Sequence, residues 1–312
     1  MTKRDFLRMN DLSLGEAREV LALSASFKRQ PVGSQTGLLA GRSVAIVLEK
    51  ASTRTRVSFE VGCAELGAHP VVLGIQGSQL ARGEPIRDTA RVLARYCHAI
   101  VYRTSSASRL SEMASAGVPV INALSDDGHP VQVLCDVFTI EEQTGESIRG
   151  KRIAFVGDCG CNMARSWVEA SVLFDFHLVL AGPGGYAPPG EELARAGSHV
   201  SRIHDPAEAV VGCDVVNTDV WTSMGQESEV RERLAAFSGW TVTEEMLRKA
   251  EKGAIVLHCL PAHRGEEIDD ETLEGARSRV WDQAENRLHV QKALLVWLLG
   301  AHSGVESAPS PT

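Results

Sequence analysis

The feature that most constrains the fold of this chain is a repeated alternation of short apolar runs with longer segments of helical spacing. Four apolar runs occur in the first half of the sequence, and four more follow in the second half. The runs are Val44–Leu48, Pro70–Leu73, Ala99–Tyr102, Pro119–Asn122, Arg152–Asp158, His177–Ala181, Asp214–Asn217 and Ala254–His258. Because amphipathic segments separate these runs, the order predicts an α/β fold with parallel sheets covered by helices on both faces.

A length of 312 residues is enough for two domains, each with its own core. The first domain is predicted over residues 1–140 and the second over 150–287, with bridging helices between them. An apolar helix over about 288–300 is predicted to pack back on the first domain. Residues 303–312 are rich in serine and proline, which favours a disordered tail.

The stretch Ser52-Thr53-Arg54-Thr55-Arg56 lies between a predicted strand and a predicted helix. A helix that begins after a strand offers unpaired backbone N–H groups at the positive end of its dipole, which suits an anion. Two hydroxyls and two guanidinium groups add donors for phosphate oxygens. A helix cap followed by solvated arginines is the simpler alternative. The complete block favours a phosphate site.

Polar residues also follow the other predicted strands. Arg103 comes directly after Ala99–Tyr102, and His129 and Gln132 lie one turn apart where a helix opens with Pro130. In the second half, the residues at strand ends are Asn162, the block Asp219–Gln226 and the block His258–Gly265. Because ligands of open α/β sheets bind at the carboxyl ends of the strands, these residues predict one ligand cleft between the domains.

Composition and motif searches exclude several classes of function. The net charge of −8 provides no basic surface for nucleic acid. No apolar run reaches membrane-spanning length and the first residues turn polar quickly, so we expect a cytoplasmic protein without a membrane partner. Seven cysteines without paired spacing predict no metal site.

The strand ends also lack the motifs of two common enzyme classes. No nucleophile elbow is present, which disfavours a hydrolase. Gly157-Asp158-Cys159-Gly160 is a poor match to the dinucleotide fingerprint, so no cofactor is expected. A dinucleotide-dependent dehydrogenase stays open as an alternative, because the α/β pattern alone would fit it.

Four motifs in their order resemble those of the transcarbamylases. They are Ser52–Arg56, His129–Gln132, Asp219–Gly225 and His258–Pro261. The first two resemble the whole family, and the last two resemble its ornithine-specific members. Similarity extends from Phe6 to about His289. The resemblance implies transfer of the carbamoyl group of carbamoyl phosphate to the δ-amine of L-ornithine, giving L-citrulline and phosphate in arginine metabolism.

The resemblance also implies site residues and an oligomer. Catalytic roles would belong to Arg103, His129, Asp219 and Cys259. The carbamoyl phosphate site would comprise Ser52, Thr53, Arg54, Thr55, Arg103, His129, Gln132, Cys259, Leu260 and Arg287. The ornithine site would comprise Asn162, Asp219, Ser223 and Met224. In this family a loop matching Gly77–Glu84 reaches a neighbouring active site, which implies a homotrimer with active sites at subunit interfaces.

The chain departs from the family pattern near the expected acceptor side. The turn Gly157–Asn162 has Cys159 and Cys161 where the family usually has glycine and asparagine, and Arg165 and Trp167 are also unusual. Asp127-Gly128 stands where an aromatic residue is common. A carbamoyltransferase that acts on another diamino acid or a diamine therefore stays open, as does an inactive relative that only binds carbamoyl phosphate.

Overall fold

The computed structural model describes residues 3–222 and 227–302. The chain forms two compact units. One comprises the described residues of Met1–Phe138 and Glu285–Ser310, and the other comprises those of Thr139–Ala284. The predicted tail 303–312, Ser223 and Met224 lie outside the described residues. In the part of the chain that is described, no helix combines the length and apolar character needed to cross a membrane.

The first unit contains a sheet of four parallel strands. They are β1 (Ser43–Leu48), β2 (His69–Gly74), β3 (Ala99–Arg103) and β4 (Val120–Leu124). Their order across the sheet is β2-β1-β3-β4. The central strands β1 and β3 are buried almost throughout, which explains why their sequences are continuous apolar runs. The edge strand β2 is half-exposed.

Four α-helices lie wholly in the described part of the first unit. They are α1 (Leu14–Arg29), α2 (Thr53–Glu65), α3 (Ile86–Tyr96) and α4 (Ala107–Met113). Helix α1 begins with a capping box, in which Ser13 and Glu16 bind each other's backbone N–H groups. Helix α2 begins at Thr53, shortly after β1 ends at Leu48, so its start lies at the carboxyl end of β1, as the sequence predicts.

The second unit contains five parallel strands. They are β5 (Arg152–Val156), β6 (His177–Ala181), β7 (Val200–Ile203), β8 (Val215–Thr218) and β9 (Ile255–His258). Their order is β7-β6-β5-β8-β9. The sequence pattern misses β7, because this edge strand is only half-buried and includes polar residues such as Arg202.

The remaining helices are α5 (Pro130–Thr144), α6 (Asn162–Phe174), α7 (Gly190–Ala196), α8 (Pro206–Ala209), α9 (Val230–Ala236), α10 (Glu244–Leu247), α11 (Asp270–Leu273) and α12 (Val280–Leu298). The chain passes from one unit to the other within α5 and again within α12. The predicted fold class, two helix-flanked parallel sheets linked by bridging helices, is therefore confirmed.

The end of α12 packs within the first unit. Lys292, although 2% exposed, donates through Nζ to Gln35 Oε1 at 2.9 Å and to Glu65 Oε2 at 2.6 Å. Gly62 of α2 faces the same side chain, and a Cβ atom there would lie 3.2 Å from Lys292 Cγ. A side chain at position 62 would therefore fit only if Lys292 shifted by a few tenths of an ångström.

Candidate active site

The first half of the candidate site lies at the N-terminus of α2. Ser52 is the N-cap, and its Oγ accepts a hydrogen bond from the Thr55 N–H at 3.3 Å. The first turn carries no acidic residue, so nothing in it opposes an anion. Thr53 is exposed and Arg54 is half-buried. Arg56 points away from this group and pairs with Glu60 one turn along, with 2.9 Å between Nε and Oε2.

Thr55 is the centre of a buried polar cluster in the first unit. Its Oγ1 accepts hydrogen bonds from Arg287 Nη2 at 3.1 Å and from Arg103 Nη1 at 3.5 Å. Arg287 also donates to Gln132 Oε1, and Gln132 Nε2 donates to Asp136 Oδ1 at 2.8 Å. Arg103 ends β3, Gln132 lies in α5 and Arg287 lies in α12, so three distant segments of the chain meet here.

His129 precedes α5 and is 4% exposed. Burial lowers the pKa of its imidazole well below the usual value, and the charges of Arg287, Arg103 and Arg54 lower it further. The ring is therefore neutral at pH 7. We call the group formed by Arg54, Thr55, Arg103, His129 and Arg287 the cationic cluster.

The lowered pKa of His129 has a consequence for stability in acid. Below the ordinary histidine pKa of about 6.5, the unfolded chain takes up a proton at this residue and the folded chain does not. Stability is therefore lost as the pH falls. Between pH 7.5 and 5.5, we expect the free energy of unfolding of His129→Asn to fall by about 1 kcal/mol less than that of the parent. Urea unfolding at both pH values measures this difference, with exposed His204→Asn as the control. Equal losses in the parent and His129→Asn would contradict it.

The second half of the candidate site lies where β8 and β9 end in the second unit. Asp219 is 8% exposed, and its Oδ1 accepts from the Val220 N–H at 2.8 Å. Cys259 Sγ lies 3.1 Å from the same carboxylate oxygen, in donor position. Burial raises the pKa of Asp219. A buried carboxylate that is only partly compensated by neighbours is suited to bind an ammonium group or to accept its proton.

The unusual turn after β5 forms a helix cap. Cys161 is the N-cap of α6, and its Sγ accepts from the Ala164 N–H at 3.5 Å. Burial, together with the charges of Asp158 and Asp219, raises the pKa of this thiol. Asn162, predicted to bind the acceptor, is the first residue of α6 and is half-buried.

The two other departures in α6 have partners inside the second unit. Arg165 Nη2 lies 2.7 Å from Glu192 Oε1 of α7. Trp167 is fully buried and packs edge-on against Phe176, with 5.8 Å between ring centroids. Both side chains therefore have a role in packing α6 within the second unit.

One residue of this unit was missed by the sequence analysis and connects two site segments. Arg233 of α9 pairs with Asp158 of the turn after β5, and its Nε donates to the Trp221 carbonyl at 2.6 Å. Its guanidinium also lies over the Tyr186 ring at 5.0 Å from the centroid. Two of its partners are 12 and 75 residues away, and its ion pair with Glu229 one turn earlier is of a kind common on any helix, so the sequence does not mark Arg233.

A second missed group surrounds His258 at the end of β9. The His258 backbone N–H donates to Gln283 Oε1 at 2.9 Å. Its Nδ1 accepts from the Leu260 N–H at 2.9 Å, and its Nε2 lies 2.9 Å from Glu267 Oε1. His258 appears in the sequence analysis only as part of a motif, and Glu267 does not appear there.

Two groups of side chains among the described residues are close enough to hold a metal ion. They are Asp219, His258 and Cys259, and His263, Glu266 and Glu267. In the first group both ring nitrogens of His258 are already hydrogen-bonded. In the second group Glu267 Oε1 already accepts two hydrogen bonds. Neither arrangement is organised around a cation.

Comparison with known proteins gives a consistent result over nearly the whole chain. The family model for the aspartate/ornithine carbamoyltransferase, carbamoyl-P binding domain, matches residues 4–142. The family model for the aspartate/ornithine carbamoyltransferase, Asp/Orn binding domain, matches residues 149–298. The first range contains Arg54, Thr55, Arg103 and His129 of the cationic cluster. The second range contains Asp219, Cys259 and Arg287.

Individual relatives agree with these matches. The ornithine carbamoyltransferase of Sorangium cellulosum is 68% identical over 307 residues, covering 96% of this chain and 99% of the relative. That of Geobacter sulfurreducens is 50% identical, with 95% and 99% coverage. The solved ornithine carbamoyltransferase from Pyrococcus furiosus superposes with a TM-score of 0.90 at 43% identity, with 98% and 99% coverage. The chain therefore belongs to the aspartate/ornithine carbamoyltransferase family.

Proposed function

We propose that this chain is an ornithine carbamoyltransferase, which transfers the carbamoyl group of carbamoyl phosphate to the δ-amine of L-ornithine and releases L-citrulline and phosphate. The observation that carries the proposal is the buried cationic cluster at the N-terminus of α2. Arg103 and Arg287 both donate to the Thr55 hydroxyl, and the charge of Arg54 helps to lower the pKa of His129. Three guanidinium groups close to a helix N-terminus suit an anion, and a phosphate dianion fits this concentration of positive charge.

On the donor side, the phosphate group binds the backbone and hydroxyls of Ser52 and Thr53 together with Arg54 and Arg103. Thr55, Arg103 and His129 polarise the carbonyl oxygen and stabilise the oxyanion that forms when the amine attacks. His129 acts as a hydrogen-bond donor in this step, and in the ligand-free site burial and three arginine charges keep its pKa low and its ring neutral. A larger group holds the carbamoyl end: Gln132, Arg287, Cys259 and the backbone of Leu260.

On the acceptor side, the δ-amine must lose its proton before it can attack, since a free amine of this kind is protonated at pH 7. Asp219 attracts the ammonium group, and Cys259 holds the carboxylate through the 3.1 Å contact. Asn162, Ser223 and Met224 bind the α-amino and α-carboxylate groups. Placing Asp219 and Cys259 at the acceptor makes ornithine a better fit than aspartate, because aspartate would bring further negative charge to a buried carboxylate.

Each domain binds one substrate, and the protein assembles into an oligomer. Residues 1–140 bind carbamoyl phosphate and residues 150–287 bind ornithine. The protein is a cytoplasmic homotrimer with active sites at subunit interfaces. Val57 and Val61, 49% and 40% exposed one turn apart on α2, give the trimer an apolar contact surface. The described cysteines are without disulfides, which fits a reducing compartment.

A colorimetric assay for ureido products tests the reaction. Carbamoyl phosphate is combined separately with ornithine, lysine, putrescine, 2,4-diaminobutyrate and aspartate. We expect product to form fastest from ornithine. Turnover only with another amine would keep carbamoyl transfer and replace the acceptor. No product with any acceptor, from folded protein that binds carbamoyl phosphate, would favour the inactive relative. Light scattering after gel filtration tests the trimer, which requires about three times the chain mass of 33.6 kDa.

The departures in α6 provide a test of acceptor choice. Arg165→Ala leaves the buried Glu192 carboxylate without its guanidinium partner, so we expect a loss of about 3 kcal/mol in the free energy of unfolding. The relative rates with ornithine, lysine and putrescine should stay unchanged, because the pair serves packing. The double variant Arg165→Met with Glu192→Leu, which removes both charges, is the stability control. A changed order of acceptors in Arg165→Ala would show that this residue selects the acceptor.

A further inference from the structure

The backbone just after β9 has an unusual conformation that one side chain holds. Leu260 has φ +58°, in the left-handed region that residues with a Cβ atom rarely adopt. Its N–H donates to Nδ1 of His258, two residues back, at 2.9 Å. The hydrogen bond therefore closes a tight turn around Cys259, the residue between the two partners.

This hydrogen bond also determines the tautomer of His258. Because Nδ1 accepts from the Leu260 N–H, the ring proton must be on Nε2. Nε2 then donates to Glu267 Oε1 at 2.9 Å. The same oxygen accepts from the His263 N–H at 2.7 Å, which holds the carboxylate in place. Neither the His258 nor the Glu267 side chain has any exposed surface.

These contacts exclude one role for His258 and favour another. A histidine that exchanges protons with a substrate needs a ring nitrogen that can reach the substrate. Both nitrogens of His258 are engaged inside the protein, and its ring is fully buried. The backbone of the same residue is fixed as well, by the hydrogen bond from its N–H to Gln283. The ring is therefore available for positioning and not for proton transfer.

We propose that Glu267 and His258 are positioning residues for the proposed carbamoyl transfer, on which this inference rests. Glu267 fixes the tautomer of His258, and His258 fixes the turn that presents Cys259 to Asp219. The Cys259 Sγ lies 3.1 Å from Asp219 Oδ1, a distance that a small shift of the turn would lengthen. Misplacement of a reacting group by about 1 Å can lower a rate about 100-fold.

Two substitutions of His258 distinguish the roles of its two ring nitrogens. Asparagine places an amide oxygen near the position of Nδ1, where it can accept from the Leu260 N–H. Glutamine reaches towards the position of Nε2 and leaves that N–H without its acceptor. We expect His258→Gln to lower kcat for carbamoyl transfer about 30- to 100-fold, and His258→Asn to stay within about fivefold of the parent. The proposed phosphate site lies in the first unit, so the inhibition constant of inorganic phosphate should be the same in both variants.

A second readout does not require activity. Iodoacetamide labelling followed by peptide mass spectrometry measures how fast Cys259 reacts. We expect Cys259 to react at least about tenfold faster in His258→Gln than in the parent, and His258→Asn to restore the parental rate. The fully buried thiols Cys63 and Cys213 report general loosening of each unit, and both should remain unlabelled.

A pair of Glu267 variants keeps the proposal open to refutation if His258→Gln fails to fold. Glu267→Gln retains an acceptor for Nε2–H, whereas Glu267→Leu removes it and frees the ring to change tautomer. Slower turnover and faster Cys259 labelling only in Glu267→Leu would support positioning. Equal behaviour of the two members of each pair, with Cys63 and Cys213 protected, would overturn it. Failure of the parent to form any ureido product would instead refute the proposed function, and the labelling comparison would still decide the role of the pair.

Discussion

Arg103→Met is expected to lower kcat/KM for carbamoyl phosphate by about three orders of magnitude while leaving the ligand-free protein at least as stable as the parent. Arg103 is 6% exposed and shares Thr55 Oγ1 with Arg287. It lies beside His129, whose pKa it helps to lower. In the proposed mechanism it touches both the phosphate and the developing oxyanion, so its loss removes two charge-assisted hydrogen bonds.

The stability part of this expectation follows from the like charges of the cationic cluster. Removing one buried guanidinium relieves repulsion from Arg54 and Arg287, and methionine fills a similar volume. Thermal unfolding with and without inorganic phosphate measures both effects. Phosphate should raise the melting temperature of the parent and not that of the variant. Exposed Arg91→Met on α3 is the control. A variant that keeps a tenth of the parental kcat/KM, or that melts well below the parent, would contradict the assignment.

Asp219→Asn is expected to lower kcat/KM for ornithine about 100- to 1,000-fold, because the amide can neither attract the ammonium group nor accept its proton. Burial raises the pKa of the Asp219 carboxyl above its usual value. The carboxylate needed for activity therefore appears only as the pH rises through that raised value. We expect the parent to lose activity in acid at a higher pH than an exposed aspartate would require, and the variant to lack this step.

The same raised pKa predicts that the stability contributed by Asp219 falls as the pH rises, whereas the activity increases. The folded protein holds the Asp219 proton more tightly than the unfolded chain, so its contribution to stability is present in acid and is lost as the pH rises through the raised pKa. At pH 7 the charged side chain is a burden, and Asp219→Asn should be more stable than the parent. Urea unfolding between pH 4 and 8 measures this, with exposed Asp270→Asn as the control. If Asp219→Asn were less stable than the parent at pH 7, or as active as the parent, Asp219 would not be the buried group that accepts the proton of the amine.

The strands that the sequence predicts are those whose burial leaves a clear pattern. Strands β1 and β3 are buried on both faces, and their apolar runs coincide with the observed bounds to within a residue. Strand β7 escapes because an edge strand can alternate exposed and half-buried residues without an apolar run. The start of α2 was also predictable, since a serine cap after a buried strand is a local signal.

The site was predictable only where its chemistry is local or its motif is known. Ser52–Thr55 lies in one turn, and its role as an anion site follows from the helix end. The contact of Arg287 with Thr55 joins positions 232 residues apart, so spacing alone could not reveal it. Arg233 and Glu267 were missed because they bind other protein groups and belong to no recognised pattern. Arg54 and Arg56 both belong to the motif, and the sequence alone could not show that Arg56 pairs with Glu60 instead of joining the site.

The hydrogen bonds of Thr55 determine which end of a carbamoyl group can face its hydroxyl. Its Oγ1 accepts from both Arg103 and Arg287, which uses the two lone pairs of the oxygen. The hydroxyl proton is then the only part of this group left for a ligand, so Thr55 can donate and cannot accept. A carbonyl oxygen can accept that proton, whereas an amino group would place its hydrogens against it. The carbamoyl group of the proposed ligand carries one of each, so this single hydroxyl distinguishes the two ends and turns the oxygen towards Arg103 and Arg287.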